Sequence, residues 1–141
     1  MSVTFPLDAL LESLKTEEGF RARAYKCTTG HLTVGYGRNI DESGLGVTEE
    51  EASYLLKNDV VRTIKELQLK FIWFDELGKN QREALVELCF QLGLTRLSKF
   101  VKMLEALKQK NYDDAATELL DSKYATQVSG RANRLANKLR G

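Results

Sequence analysis

Residues Glu18–Gly37 read EGFRARAYKCTTGHLTVGYG. A carboxylate opens the stretch, Gly19 follows it, and two short runs, Arg23–Cys27 and Leu32–Tyr36, flank the turn signal Thr28-Thr29-Gly30. Runs of this length around a glycine turn predict a β-hairpin. Gly35 and Gly37 bracket Tyr36, which predicts close backbone approach or unusual dihedrals there. Eight residues separate Glu18 from Cys27, and five separate Cys27 from Thr33. Taken singly, these features say little. A glutamate at a helix end is ordinarily solvated surface, and Gly-x-Gly without a strand–turn–helix context is no nucleotide site. His31, after Gly30, reads as a turn residue.

Upstream, Leu7, Leu10, Leu11 and Leu14 recur at i, i+3, i+4 and i+7. They predict an amphipathic helix from about Pro6 to Glu18, with Pro6 in its first turn and Gly19 at its stop. Downstream, Asn39–Gly46 is a polar loop. Thr48 followed by Glu51 is a capping box, opening a long helix to about Leu69. Asn80–Leu92 is apolar nearly all round and predicts a central buried helix ended by Gly93. Helices at Leu97–Gln109, Tyr112–Asp121 and Ser129–Arg140 follow, with short connections that predict a compact bundle. The fold class is therefore α+β: a small N-terminal lobe with a tiny sheet (about 1–47), a long interlobe helix (about 48–69) and an all-helical C-terminal lobe (about 70–141). Sites tend to lie in the clefts that such lobes form.

Composition excludes several classes. The chain has 141 residues, 43% apolar and 29% charged, with one proline, so it is neither disordered nor low-complexity. It is long enough to bury roughly 65–70% of its unfolded surface without disulfide or metal staples. No apolar run approaches the ~20 residues of a membrane span. Met1–Leu11 carries Asp8 and no leading cationic block, unlike a secretory leader. A net charge of +1 argues against bulk nucleic-acid binding. Residues 80–141 nevertheless hold eleven basic and seven acidic side chains, and from Gln127 onward there are four cations and no acid. That end reads either as a solvated helix face, its cations near the helix C-terminus, or as an attractor of an anionic polymer. Cys27 and Cys89 match no metal spacing; Cys89 reads as a packed core thiol. One histidine excludes a multi-histidine metal site.

Glu18, Cys27 and Thr33, running on into Thr33-Val34-Gly35-Tyr36-Gly37, together resemble the phage-type lysozymes, the muramidases of bacteriophage endolysins. That family's pattern is Glu, eight residues, Asp or sometimes Cys, five residues, Thr. The resemblance extends to Gly46-Val47-Thr48, Phe90-Gln91-Leu92-Gly93, Tyr112-Asp113-Asp114-Ala115-Ala116 and Gly130-Arg131-Ala132-x-Arg134, essentially the whole chain. It implies an endolysin that hydrolyses the β-1,4 bond between N-acetylmuramic acid and N-acetylglucosamine in peptidoglycan and so lyses bacteria. It implies no metal and no cofactor.

On this resemblance Glu18 is the proton donor, Thr33 orients the catalytic water, and Arg131 lies close to Glu18. Glycosidic cleavage needs such a donor and a second group that activates water or attacks the sugar. Cys27 departs from the commoner Asp; it serves as base or nucleophile, or else it is a structural thiol in an impaired relative. Tyr25, Asn39, Phe90, Gln91, Met103 and Glu118 match family positions that face the sugar, though Phe90 and Met103 suit a core equally well. The implied partners are peptidoglycan glycan strands and a holin-type membrane protein. A monomer is expected, made in the host cytoplasm and acting on the periplasmic wall after release. The alternatives are a catalytically impaired peptidoglycan-binding module and a helical nucleic-acid regulator, the latter opposed by charge and by the lack of a basic second helix.

Overall fold

The computed structural model describes residues 7–141. The expected helix start at Pro6 and the reading of the leading residues up to Pro6 fall outside them. Among the described residues, helices dominate and one small antiparallel sheet lies near the N-terminus, an α+β fold of the lysozyme type. Contacts divide the chain into two units, Met1–Ser53 and Tyr54–Gly141.

In the first unit, α1 (Leu7–Glu18) ends where expected. Gly19 takes φ +72°, and its N–H donates to the Lys15 carbonyl at 2.9 Å. That left-handed residue is what a helix C-terminus needs and what a Cβ would penalise. The sheet is β1 (Arg21–Lys26), β2 (Leu32–Gly35) and β3 (Arg38–Asn39), in that order. The hairpin was anticipated, but β3 was not: Arg38 and Asn39 pair with Val34 and Thr33 instead of opening a loop. Two residues are too few for any periodicity to register. Gly35 (φ +71°) and Gly37 (φ +80°) supply the left-handed dihedrals of the tight β2–β3 connection.

The capping box forms as expected at the start of α2 (Glu49–Lys70): Glu51 N–H donates to Thr48 Oγ1 (3.1 Å), and Thr48 N–H donates to Glu51 Oε1 (2.8 Å). Glu51 also receives both terminal nitrogens of Arg38, at 2.9 and 2.7 Å. β3 is thereby fastened to the helix start. Arg38 first, then the Thr48 backbone, hold the Glu51 carboxyl well below the usual range, at about 2.

The second unit carries the large core. It is built on Leu67, Leu85, Leu88, Leu97, Met103, Leu107, Leu119, Leu135 and Leu139, all nearly inaccessible. These come from α2, α3 (Lys79–Leu92), α4 (Leu94–Leu97), α5 (Val101–Lys108), α6 (Tyr112–Leu120) and α8 (Ser129–Arg140). The central helix α3 buries only one face: Ala84, Leu85, Leu88 and Cys89 are buried, but Phe90 is 45% exposed. The expectation of burial all round is corrected to that extent. The single helix expected over Leu97–Gln109 is two. Ser98 Oγ donates back to the Leu94 carbonyl at 2.8 Å, and Phe100 leaves helical geometry (φ −81°, ψ +59°). A serine satisfied by its own backbone competes with helix continuation. A five-residue helix, α7 (Lys123–Gln127), was also missed; the Ser122 hydroxyl caps it by accepting from Ala125 N–H.

The basic C-terminal end is not simply a free cationic face. Lys138 Nζ donates to Glu87 at 2.6 Å and lies 3.6 Å from Glu83, so it fastens α8 to α3. Beside it, Gln81 Nε2 donates to the Leu139 carbonyl at 2.9 Å in a buried position. Among the described residues, no helix is long and apolar enough to cross a membrane.

Candidate active site

Five of the residues singled out above lie in the first unit, on elements that fix them one by one. Glu18 is the last residue of α1 and is exposed. Its carboxylate rests against Gly37: a Cβ built there would lie 2.8 Å from Glu18 Oε2 and 3.3 Å from its carboxyl carbon. Gly37 therefore has two reasons to be glycine, its φ of +80° and the glutamate over it. Tyr36, next to it, packs its ring 5.7 Å from that of Phe20, and Lys15 Nζ sits 5.7 Å from the Tyr36 ring. The end of α1 is thus held on the β2–β3 connection by aromatic and cation–π contacts.

Tyr25, Thr33 and Asn39 form one row across the sheet, with Thr33 opposite Tyr25 on one side and Asn39 on the other. Directly opposed residues share a face. Cys27 and His31 stand just beyond the paired ends of β1 and β2, joined by the Cys27 N–H to His31 carbonyl bond. Arg21 covers the Tyr25 ring at 4.8 Å. The Asn39 side-chain oxygen accepts from Asp41 N–H at 3.1 Å, so part of its capacity shapes the following loop.

Thr33 is only 4% exposed, and its hydroxyl donates to the His31 carbonyl at 2.9 Å. The same carbonyl accepts the Cys27 N–H, also at 2.9 Å. The Cys27 sulfur lies 3.1 Å from the Thr29 hydroxyl. That hydroxyl most of all, then hydrogen bonds from the backbone at His31 and Thr29, bring the thiol from its ordinary value near 9 down to about 7. Donors aimed at a sulfur favour its thiolate. Cys89, by contrast, is buried and its thiol is pushed up, chiefly by desolvation.

The second unit carries the other five. Met103 and Glu118 line one cavity of about 700 Å³, together with Phe100 and Tyr124. Gln91 accepts the Tyr124 hydroxyl at 2.7 Å. Burial raises the Tyr124 pKa while Arg131 opposes the shift, which puts the guanidinium within electrostatic reach of the phenol. Four of the five thus converge on Tyr124, and Phe90 stands beside Gln91 with its ring exposed. Tyr124 was missed in the sequence. Its signal was there: a buried phenol needs a hydrogen-bond partner, and so does an amide at the end of an apolar helix.

His31, Thr29 and Asp41 were also missed as parts of the site. Thr29 reaches the sulfur chiefly through its hydroxyl, His31 through its backbone, and Asp41 touches the turn only at His31, from the loop; no spacing rule reports any of these.

Comparison with known proteins shows the family. The phage lysozyme family profile matches residues 15–138. A probable T4-type lysozyme 2 of Dictyostelium discoideum is 28% identical over 156 residues, covering 92% of each chain. An endolysin of Salmonella phage P22 is 34% identical over 113 residues, covering 76% of this chain and 75% of its own. An endolysin of Acyrthosiphon pisum secondary endosymbiont phage 1 is 31% identical over 110 residues, covering 76% and 72%. The chain belongs to the phage lysozyme family and is a glycoside hydrolase of the lysozyme type.

Proposed function

We propose that this protein is an endolysin that hydrolyses the β-1,4 bond from N-acetylmuramic acid to N-acetylglucosamine in peptidoglycan, with Glu18, Cys27 and Thr33 as its catalytic set. The observation that carries this reading is the coincidence of a lowered thiol and a committed hydroxyl beside one backbone carbonyl, that of His31. Cys27 titrates at about 7, and the hydroxyl hydrogen of Thr33 is already given to the His31 carbonyl.

The chemistry follows from these assignments. Glu18 donates its proton to the leaving glycosidic oxygen as the bond to the anomeric carbon breaks. Thr33, its hydrogen committed, accepts an O–H from water and leaves the water's lone pair free for the sugar. The Cys27 thiolate takes the remaining proton as the new C–O bond forms, which makes it a base in place of the commoner carboxylate. A thiol with a pKa of about 7 is ionised in about half of the molecules at neutral pH. Tyr25 and Asn39, in the same row as Thr33, are assigned to sugar binding. In the second unit Phe90, Gln91, Glu118 and Arg131 are assigned likewise, while Met103, inaccessible in the core, backs the wall of the Tyr124 cavity.

On this reading the protein is made in the host cytoplasm, reaches the periplasmic wall through a holin-type partner and acts as a monomer. Purified peptidoglycan, digested and then reduced with borohydride, tests the bond assignment. Reduced muramic acid at the new chain ends is expected. Reduced glucosamine alone, or no new reducing ends, contradicts it.

A further inference from the structure

Beyond β3 the loop returns to the hairpin turn. His31 Nδ1 lies 2.9 Å from Asp41 Oδ2. The other oxygen of Asp41 accepts from Ser43 Oγ (2.7 Å) and from Ser43 N–H (3.0 Å). Ser43 Oγ also lies 3.4 Å from His31 Nδ1. Gly44 closes the loop, with its N–H on the Asp41 carbonyl at 3.0 Å. A Cβ on Gly44 would lie 2.4 Å from Asn39 oxygens, so the loop is packed tightly against β3. Asp41 is thus held from three directions and presents one oxygen to a single partner, the imidazole.

That imidazole belongs to the residue whose backbone serves both Cys27 and Thr33. The His31 carbonyl accepts from Cys27 N–H and from Thr33 Oγ1, each at 2.9 Å. The catalytic role proposed above uses the side chains of Cys27 and Thr33 and the backbone of His31; it makes no use of the His31 imidazole or of Asp41.

We infer that His31 and Asp41 form a positioning clasp, in which Asp41 fixes the His31 side chain and so holds the turn's backbone around the Cys27 sulfur and the Thr33 hydroxyl. The clasp is a constraint on the turn, not a participant in bond cleavage. Without it the Thr28-Thr29-Gly30 turn keeps its backbone hydrogen bonds, Gly30 N–H to Cys27 carbonyl and Cys27 N–H to His31 carbonyl, and the Thr29 and Thr33 hydroxyl contacts, but no side chain ties it to the loop beyond β3. Short turns with a left-handed glycine sample several conformations, and donors aimed at the sulfur lose alignment in them. The charged groups on the elements around this turn are Arg21, Arg23 and Lys26 on β1, Arg38 on β3, and Asp41 and Glu42 in the loop. Arg38 is already paired with Glu51.

The inference rests on the proposed catalytic role only for its consequence in activity, so the test reads the sulfur directly. Iodoacetamide alkylation rates of the Cys27 peptide, followed by mass spectrometry across pH, give the thiolate midpoint in the whole protein. His31→Ala and Asp41→Ala are expected to raise that midpoint by about one unit or more towards the free-thiol range. Asp41→Asn, which keeps an acceptor for the imidazole, is expected to restore most of the shift. Glu42→Gln, in the same loop and outside the clasp, is expected to leave it unchanged. Ser43→Ala is the milder variant and should move the midpoint in the same direction if the alanine variants do not fold.

A midpoint that stays near 7 in folded His31→Ala, or in Ser43→Ala where His31→Ala does not fold, overturns the clasp. If the midpoint rises while the pH profile of glycan cleavage stays still, the clasp stands and the catalytic role of Cys27 falls. If both move together, both stand.

Discussion

Glu18 depends on what its neighbour lacks. Because its carboxylate lies where a Gly37 side chain would be, Gly37→Ala pushes the glutamate aside and also strains a backbone at φ +80°. We expect that variant to lose about 1 kcal/mol of stability and activity well beyond what that loss explains. Thermal melting alongside glycan cleavage on the same sample separates the two. Cys27 makes a different prediction. Cys27→Ala should remove most cleavage, and Cys27→Asp should retain much of it. The acid limb of the wild-type pH profile should centre near 7, where the folded thiol titrates. In Cys27→Asp the limb should move several units lower, because a carboxylate ionises near pH 4. A fully active Cys27→Ala protein would leave Glu18 and Thr33 as the catalytic set.

Among the elements, the junction of β3 with α2 carries the heaviest electrostatic constraint of the first unit. Glu51 caps its helix and receives Arg38 in a two-pronged pair, while Asp41 anchors the loop between them. Both carboxyls titrate at about 2 in the folded protein, below the usual carboxylate range. A lowered pKa stabilises the folded state at pH values above the unfolded pKa, and that contribution disappears as pH falls through the folded one. The first unit should therefore lose stability between roughly pH 4 and pH 2. Acid titration monitored by hydrogen exchange at Thr33 and Asn39 reads this, and Glu51→Gln should flatten the transition. A first unit equally protected at pH 2 and pH 5 would show that these pairs contribute nothing. The capping box and the Gly19 stop were legible in the sequence because each is a local rule, satisfied within four residues. β3 was not, because two residues paired across a tight turn leave no pattern. The break at Ser98–Phe100 was hidden for the opposite reason: the apolar spacing of Leu97, Val101 and Leu104 continues through it, while the backbone leaves helical geometry at Phe100.

For the molecule as a whole, the α+β class was readable from a hairpin signal followed by helical periodicities, and the family from a motif whose members all lie within twenty residues. Glu18, Cys27 and Thr33 all lie in the first unit, but the groups with the largest effect on the Cys27 thiol came from outside the motif. Thr29, His31 and Asp41 act through a hydroxyl, a carbonyl and a loop, none of which has a fixed spacing from the motif. In the second unit the apolar positions revealed the core, whereas Tyr124 emerged only once Gln91 and the α7 cap were seen in space. The C-terminal cations were misleading when counted by sign alone. Lys138, paired with Glu87 across α8 and α3, belongs to the architecture. Lys138→Gln should lower the melting temperature of the second unit, whereas Arg140→Gln, on the exposed end of the same helix, should not; equal melting of the two variants would contradict this.

The account turns on Glu18 as the proton donor in glycan cleavage. Reducing ends released from purified peptidoglycan, counted for wild type and for Glu18→Gln at matched folded concentration, test it most directly. The substitution keeps size and hydrogen bonding at an exposed helix end, so the fold should survive while release falls by at least about 10²-fold. A folded Glu18→Gln protein that releases reducing ends at close to the wild-type rate would contradict the account.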